Sequence, residues 1–293
     1  MKEKVRDFYT ILNCKVGSTP IHLLLKDVRE CLTISDSRFM MTPNSENVLG
    51  VYRDRNLQKL LEGVDYAPVD SIGLAAAVVY MNQKLPQNHL LRVPVMILQG
   101  IYVGLLVLLR PQSLQKRVPV MKGRQLFWEL LQIADEKKWR VYLLGGKSDE
   151  AERASKIVSE KYKNVAVRFS SGPMLDEKAM PQTQRDRVIN DEVLHEISQF
   201  KPHLLFVAFN FPKQERWLAR HLPELPVGLG MTVGGTFNYV SGRSLLPPKA
   251  IEKLGFEWLW RLATEPWRLR RVLNAVVIFP LNVFMYRLSE NRS

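Results

Sequence analysis

Short apolar runs alternate along the chain with stretches whose apolar positions recur every three or four residues. The runs predict strands at 38–41, 64–67, 141–144, 165–169, 203–209 and 227–231. The periodic stretches between them predict helices at 45–61, 72–82, 124–137, 149–162, 184–198 and 213–220. Strand followed by helix, repeated in this way, is the pattern of an α/β domain whose sheet is mainly parallel and whose helices flank it. No internal repeat and no low-complexity tract interrupts the rhythm.

Two stretches depart from it. Residues 93–109 are seventeen without a charge, between Arg92 and Arg110. As a straight helix they would cover roughly 26 Å, just short of a ~30 Å hydrocarbon core, which favours an interfacial or re-entrant helix over a crossing, with a buried helix as the alternative. Near the C-terminus a basic, Trp-rich helix is expected at 258–271, leading into an apolar run at 272–286. From Arg243 onward nine basic residues face four acidic ones, and Trp258, Trp260 and Trp267 stand among the arginines. That mixture suits the headgroup level of an anionic membrane surface, although a solvated helix packing its Trp and Leu on the core has the same composition.

The 293 residues allow one large domain or two small ones, and 46% hydrophobic with 24% charged residues excludes wholesale disorder, collagen and a polytopic membrane protein. A net charge of +13 points to an anionic partner, whether nucleic acid, lipid surface or phosphorylated substrate. Two cysteines, Cys14 and Cys31, exclude a disulfide framework. The mixed charges of the first seven residues, with no apolar region after them, give the expectation that no cleaved secretory signal is present.

The candidate chemistry sits where predicted strands end. Leu144-Gly145-Gly146-Lys147-Ser148 follows a strand and opens a helix, a position where backbone N–H groups can hold a phosphate, but its spacing is neither a Walker A loop nor a dinucleotide fingerprint. Gly234-Gly235-Thr236-Phe237 is a second glycine turn, and Pro212-Lys213-Gln214-Glu215 starts a helix after another strand. In a doubly wound sheet three such turns converge on one crevice, while ordinary first-turn capping would equally explain Gln214 and Glu215. Asp70 stands before the 72–82 helix as either its N-cap or a general base, and Thr42-Pro43-Asn44 offers a hydroxyl and an amide to a sugar or caps the helix at Ser45. No Asp-x-Asp, no carboxylate cluster and no Ser or Cys elbow near the five histidines speaks for metal or serine-hydrolase chemistry.

Taken in order, these blocks resemble the WecG/TagA/CpsF glycosyltransferases of bacterial surface-polymer synthesis. The resemblance rests on Thr42-Pro43-Asn44 with Glu46, Asp70-Ser71-Ile72-Gly73, Leu143-Leu144-Gly145-Gly146-Lys147, Pro212-Lys213-Gln214-Glu215 with Trp217, and Gly234-Gly235-Thr236-Phe237 with Gly242-Arg243. It continues through Pro248, Leu254-Gly255-Phe256-Glu257-Trp258-Leu259 and Arg261 to Glu265-Pro266 and the arginines beyond. What it implies is an inverting enzyme needing neither metal nor cofactor, with a Rossmann-like core. Such an enzyme moves a sugar, often N-acetylmannosamine or its uronate, from a UDP donor to a polyprenyl-diphosphate lipid bearing N-acetylglucosamine.

By the same resemblance Asp70 is the general base, with Thr42 and Asn44 beside it. Gly145, Gly146, Lys147, Gln214, Gly234, Gly235 and Asn238 approach the nucleotide sugar, and Arg261, Arg268 and Arg271 bind the lipid diphosphate. The implied arrangement is a core at 1–242, with an apolar insertion at 86–116, followed by a membrane-docking appendage at 243–293. The protein would then sit on the cytoplasmic face of the bacterial membrane, peripheral or monotopic, without nucleic acid as a partner and with homo-oligomer formation left open. Four positions depart from the family pattern: Val120 stands for a Gly, Lys122 for an Asp, Asn238 for an Asp and Asn210 for a Gly. These changes keep a second reading open, a membrane-associated binding protein of the same fold with reduced turnover.

Overall fold

The computed structural model describes residues 8–17, 19–244, 246–248, 251, 257–266 and 269–290, apart from the side chains of Cys31, Glu257, Trp258 and Arg261. Arg268, Trp267, the block 254–256 and the Arg261 and Trp258 side chains, singled out above, therefore lie outside the described residues.

The long apolar runs become β3 (Arg38–Met40), β4 (Arg140–Gly145), β5 (Ala166–Ser170), β6 (Leu204–Ala208) and β7 (Leu229–Thr232), preceded by the short strands β1 (Phe8–Ile11) and β2 (Cys14–Gly17). The five form one all-parallel sheet in the order β3-β7-β6-β4-β5. A parallel sheet covered on both faces must be apolar at every position, which is why β4 and β6 read as unbroken runs rather than alternations. Tyr142, Leu144, Leu205 and Val207 enter one core cluster, and their neighbours Val141, Leu143, Leu204 and Phe206 enter the other.

The helices are α1 (Ile21–Cys31), α2 (Ser45–Arg53), α3 (Arg55–Leu60), α4 (Ile72–Met81), α5 (His89–Leu109), α6 (Pro111–Arg117), α7 (Gly123–Lys137), α8 (Glu150–Lys161), α9 (Gln184–Phe200), α10 (Lys213–His221) and α11 (Thr236–Val240). Residues of α1, α7, α8 and α11 pack on one face of the sheet, and residues of α2, α4, α9 and α10 on the other. Two further helices follow, Glu257–Thr264 and Leu269–Glu290, the second containing a π-helical turn at Asn274–Ile278.

Several expectations need correction. The single helix expected at 45–61 is broken at Asp54, whose N–H bonds Val51 O while its carboxylate caps α3 through the N–H groups of Asn56 and Leu57. The strand expected at 64–67 is a single parallel bridge, Met40 to Tyr66, along the free edge of β3. It is held by Met41 N to Tyr66 O at 2.9 Å and by Arg38, whose guanidinium bonds both the Tyr66 hydroxyl and, at 2.8 Å, Asp27 of α1. Gly17 of β2 then bonds Ala67 O at 2.7 Å, so the β1–β2 hairpin packs against this segment.

The C-terminal apolar run stays helical through Pro280 and packs on the domain along its length. Arg271 pairs with Glu46 of α2, Phe279 and Val283 are buried in the same cluster as α4, and Tyr286 stacks edge-on against Tyr52. Helix α5, which begins four residues before the apolar stretch, buries Met96 and Val103 and leaves Leu90, Leu98, Ile101 and Leu109 exposed. Each of these two helices therefore has a protein-facing side and an apolar outer side.

Candidate active site

The carboxyl ends of β3, β7 and β6 open onto one cleft of about 1070 Å³. At its polar end stand Thr42, Asn44, Asp70, Lys122, Gln214, Gly234, Gly235 and Asn238, and Arg271 lines it as well. Helices α2, α4, α7, α10 and α11 all begin at this cleft, so their amino ends, each worth about half a positive charge, share one space. An anionic ligand is favoured there.

Asp70 lies at the end of the segment clamped to β3, and its N–H bonds Pro43 O at 3.0 Å. It is not the cap of α4, a role taken by Ser71, whose hydroxyl accepts from Leu74 N. Instead its Oδ1 accepts the N–H of Gly123, the first residue of α7, at 3.0 Å. The Asp70 carboxylate thus faces the amino end of α7. Gly123 is required here, because a Cβ at that position would sit 2.7 Å from the Thr42 hydroxyl. Asn44 caps α2, its Oδ1 accepting from Glu46 N and Asn47 N, so contact with a ligand falls to its amide nitrogen.

Across the cleft Gln214 is buried, its Oε1 accepting from Gly234 N at 3.0 Å and its Nε2 donating to Glu215 at 2.8 Å. Glu215 is 2% exposed, and burial pushes its carboxyl up to about 7. The Gln214 amide and the Thr232 hydroxyl favour its charged form and offset only part of that cost. Gly234 has φ +52 and no atom within 4 Å of where a Cβ would lie, leaving its side open to the cleft. Asn210 has φ +64, the left-handed region where Gly is best and Asn next, so the departure from Gly at this position preserves the backbone turn.

The structure does not bring Gly145, Gly146 and Lys147 into the lining. The glycines take φ +95 and +88 and pack closely, Gly145 against the end of β6 and Gly146 beside Glu150 and Phe237, while Lys147 is exposed. The Lys147 N–H bonds Glu150 Oε2 at 3.0 Å, so a carboxylate of α8 itself occupies that helix amino end. Arg271 grips Glu46 with Nε to both carboxylate oxygens, at 3.0 and 2.8 Å, and with Nη2 at 2.7 Å. The pattern of the sequence missed Ser45, Ser71, Arg124 and Tyr239, which also line the cleft. Ser45 and Ser71 carried a signal in their positions at helix starts; Tyr239 carried none.

The cleft and sheet define a doubly wound α/β protein whose cleft opens at the carboxyl edge, on the side of β3, β7 and β6. Residues 90–293 match the Glycosyl transferase WecG/TagA/CpsF family, and the chain belongs to it. The matched span contains Gln214, Gly234, Asn238 and Arg271; Thr42, Asn44 and Asp70 precede it and meet those residues through the fold.

Among curated relatives, the chain is 30% identical over 176 residues to the N-acetylglucosaminyldiphosphoundecaprenol N-acetyl-beta-D-mannosaminyltransferase of Bacillus subtilis (strain 168), covering 60% of this chain and 62% of that protein. It is 29% identical over 180 residues to the protein of the same name in Staphylococcus aureus (strain NCTC 8325 / PS 47), covering 61% and 62%. The similarity thus spans less than two thirds of these relatives.

Proposed function

We propose that the protein is an inverting glycosyltransferase that moves N-acetylmannosamine, or its uronate, from a UDP donor to a polyprenyl-diphosphate lipid bearing N-acetylglucosamine. One observation carries this reading: a single cleft joins a carboxylate held at a helix amino end, the loops of the sheet's carboxyl edge and an arginine on an apolar helix. The names of the relatives support the choice of sugar and acceptor. Asp70 takes the proton of the acceptor hydroxyl as that oxygen bonds the anomeric carbon. The bond from that carbon to the diphosphate breaks on the opposite face and its electron pair leaves with UDP, which inverts the configuration.

Thr42 and Asn44 hold the acceptor sugar beside Asp70. Gln214, Gly234, Gly235 and Asn238 line the donor side. Arg271, with Arg261 and Arg268 of the preceding segment, binds the lipid diphosphate. Helix amino ends and arginines offset the phosphate charge in place of a metal. The exposed apolar sides of α5 and Leu269–Glu290 support a monotopic seat on the cytoplasmic face of the membrane, where soluble nucleotide sugar is at hand.

The test is release of UDP from a panel of UDP-sugars, with and without the lipid acceptor and EDTA. Acceptor-dependent release that persists in EDTA is expected, and Asp70→Asn should lower it by about 100- to 10,000-fold while UDP-sugar binding stays within about twofold. Unchanged turnover in that variant would remove Asp70 as the base. The second reading, a binding protein with reduced turnover, draws on Lys122 in the cleft; silence across the panel from folded protein that still binds a UDP-sugar would point to it or to an acceptor outside the panel.

A further inference from the structure

We infer that the apolar arm of the cleft, between α5 and the helix Leu269–Glu290, is a groove for the first isoprenoid units of a polyprenyl diphosphate, which holds the lipid chain against protein. This rests on the function proposed above and adds a subsite to it. The cleft is continuous: from the polar end at Asp70 it runs past Arg271 into a space walled by Gly100, Gly104 and Val107 of α5 and by Phe279 and Phe284 opposite. Its volume of about 1070 Å³ slightly exceeds the ~300–1,000 Å³ range of single small-molecule sites.

The two glycines are the decisive feature. They lie one turn apart on one face of α5, and each costs a helix interior about 1 kcal/mol relative to Ala. Close helix packing does not account for them. A Cβ on Gly104 would meet no atom within 4 Å, and one on Gly100 only the Tyr80 ring at an ordinary 3.7 Å. Their effect is to leave two neighbouring points without a side chain on a wall otherwise lined by Ile97, Ile101, Val103 and Val107.

Charge gives the groove a direction. Arg271 lies in the first turn of its helix, at the junction of the polar and apolar arms, where a diphosphate would leave its prenyl chain pointing along the apolar side. Beyond the apolar arm the walls are pinned together by Arg287, only 3% exposed, which donates to Gln99 Oε1 of α5 at 2.8 Å and to Gln83 O and lies 4.5 Å from the centre of the Tyr80 ring. Arg287 thus ties the C-terminal helix to α5 and α4 at that end of the groove.

The test uses the full-length protein in detergent micelles with radiolabelled undecaprenyl diphosphate, and with UDP as a probe that lacks the chain. Gly104→Phe, which fills the open space, is expected to weaken undecaprenyl diphosphate binding about tenfold, the change that ~1.4 kcal/mol produces, and to leave UDP binding unchanged. Gly104→Ala, with its small side chain, should weaken lipid binding by a smaller factor than Gly104→Phe. Equal weakening of both probes, or none for the lipid, would overturn the groove.

A second measurement needs no variant. Wild-type affinity should rise from geranyl diphosphate to longer prenyl diphosphates and then level off once the groove is filled; a flat dependence on chain length would overturn the inference. Because these readouts are of binding, failure of turnover in the UDP-release assay would reject the proposed reaction, while the groove stands or falls on lipid affinity alone.

Discussion

Helices α4 and α5 are both strongly apolar and adjacent in the chain, yet the fold treats them in opposite ways. From Leu74 to Tyr80 every residue of α4 is buried, whereas α5, twice as long, buries only Met96 and Val103. Hydropathy cannot tell them apart; what differs is whether the domain has elements left to cover them. Helix α4 lies among β1, α5, α6 and the C-terminal helix, while α5 comes after that layer is filled and has protein on one side alone. The uncovered side of α5 carries Leu90, Leu98, Ile101, Leu105 and Leu109, all exposed.

The largest expected effect breaks the comparison outright. Leu74→Asp places a carboxylate in the covered helix, at a cost of several kcal/mol against a total stability of roughly 5–15 kcal/mol, and should abolish recovery of folded protein. The same change at Leu98 of α5, which is 65% exposed, should leave thermal unfolding unchanged and reduce partition into anionic vesicles by at least about tenfold. Equal behaviour of the two variants in either assay would end the distinction.

Covered charges extend the contrast. The folded Glu215 has its carboxyl raised from 4.5 to about 7, so the stability linked to its neutral form is full below about 4.5 and is lost as the pH rises to about 7. Glu215→Gln should flatten that fall in denaturant titrations across this window, and an unaltered pH profile would show that the side chain ionises freely. Smaller still is Arg287→Met, which unties the uncovered helix from the covered one. Loss of its charged hydrogen bonds to Gln99 and Gln83 should cost about 2 kcal/mol, or roughly 5 °C in Tm for a chain of this size; an unchanged Tm would mean the tie bears no strain.

Much of the fold was legible because parallel strands buried on both faces leave unbroken apolar runs, as at β4 and β6. The β1–β2 hairpin was not, since Leu12 and Asn13 both take positive φ in its turn, and Leu is a residue whose sequence gives no hint of that conformation. The break at Asp54 was hidden because apolar periodicity runs across it, although an Asp followed by a helix former is a cap signal in retrospect. In the site, motif order found Asp70, Thr42, Gln214 and Gly234, all of which line the cleft. What local sequence could not show is that α7 would present Gly123 to Asp70, a contact across 53 residues, or that Glu150 would fill the amino end of its own helix beside Gly145 and Gly146.

The clamp on Tyr66 has a mechanical meaning. Asp70 is the tip of a cantilever four residues long, fixed at its root where Arg38 ties the Tyr66 ring and Asp27 together, and propped near its tip by Pro43 O and Gly123 N. Reactions that depend on alignment lose about 100-fold for a 1 Å misplacement of a reacting group. For the base proposed above, the root of alignment thus lies with a tyrosine and an arginine that do not line the cleft, and wear at that root would register at the tip.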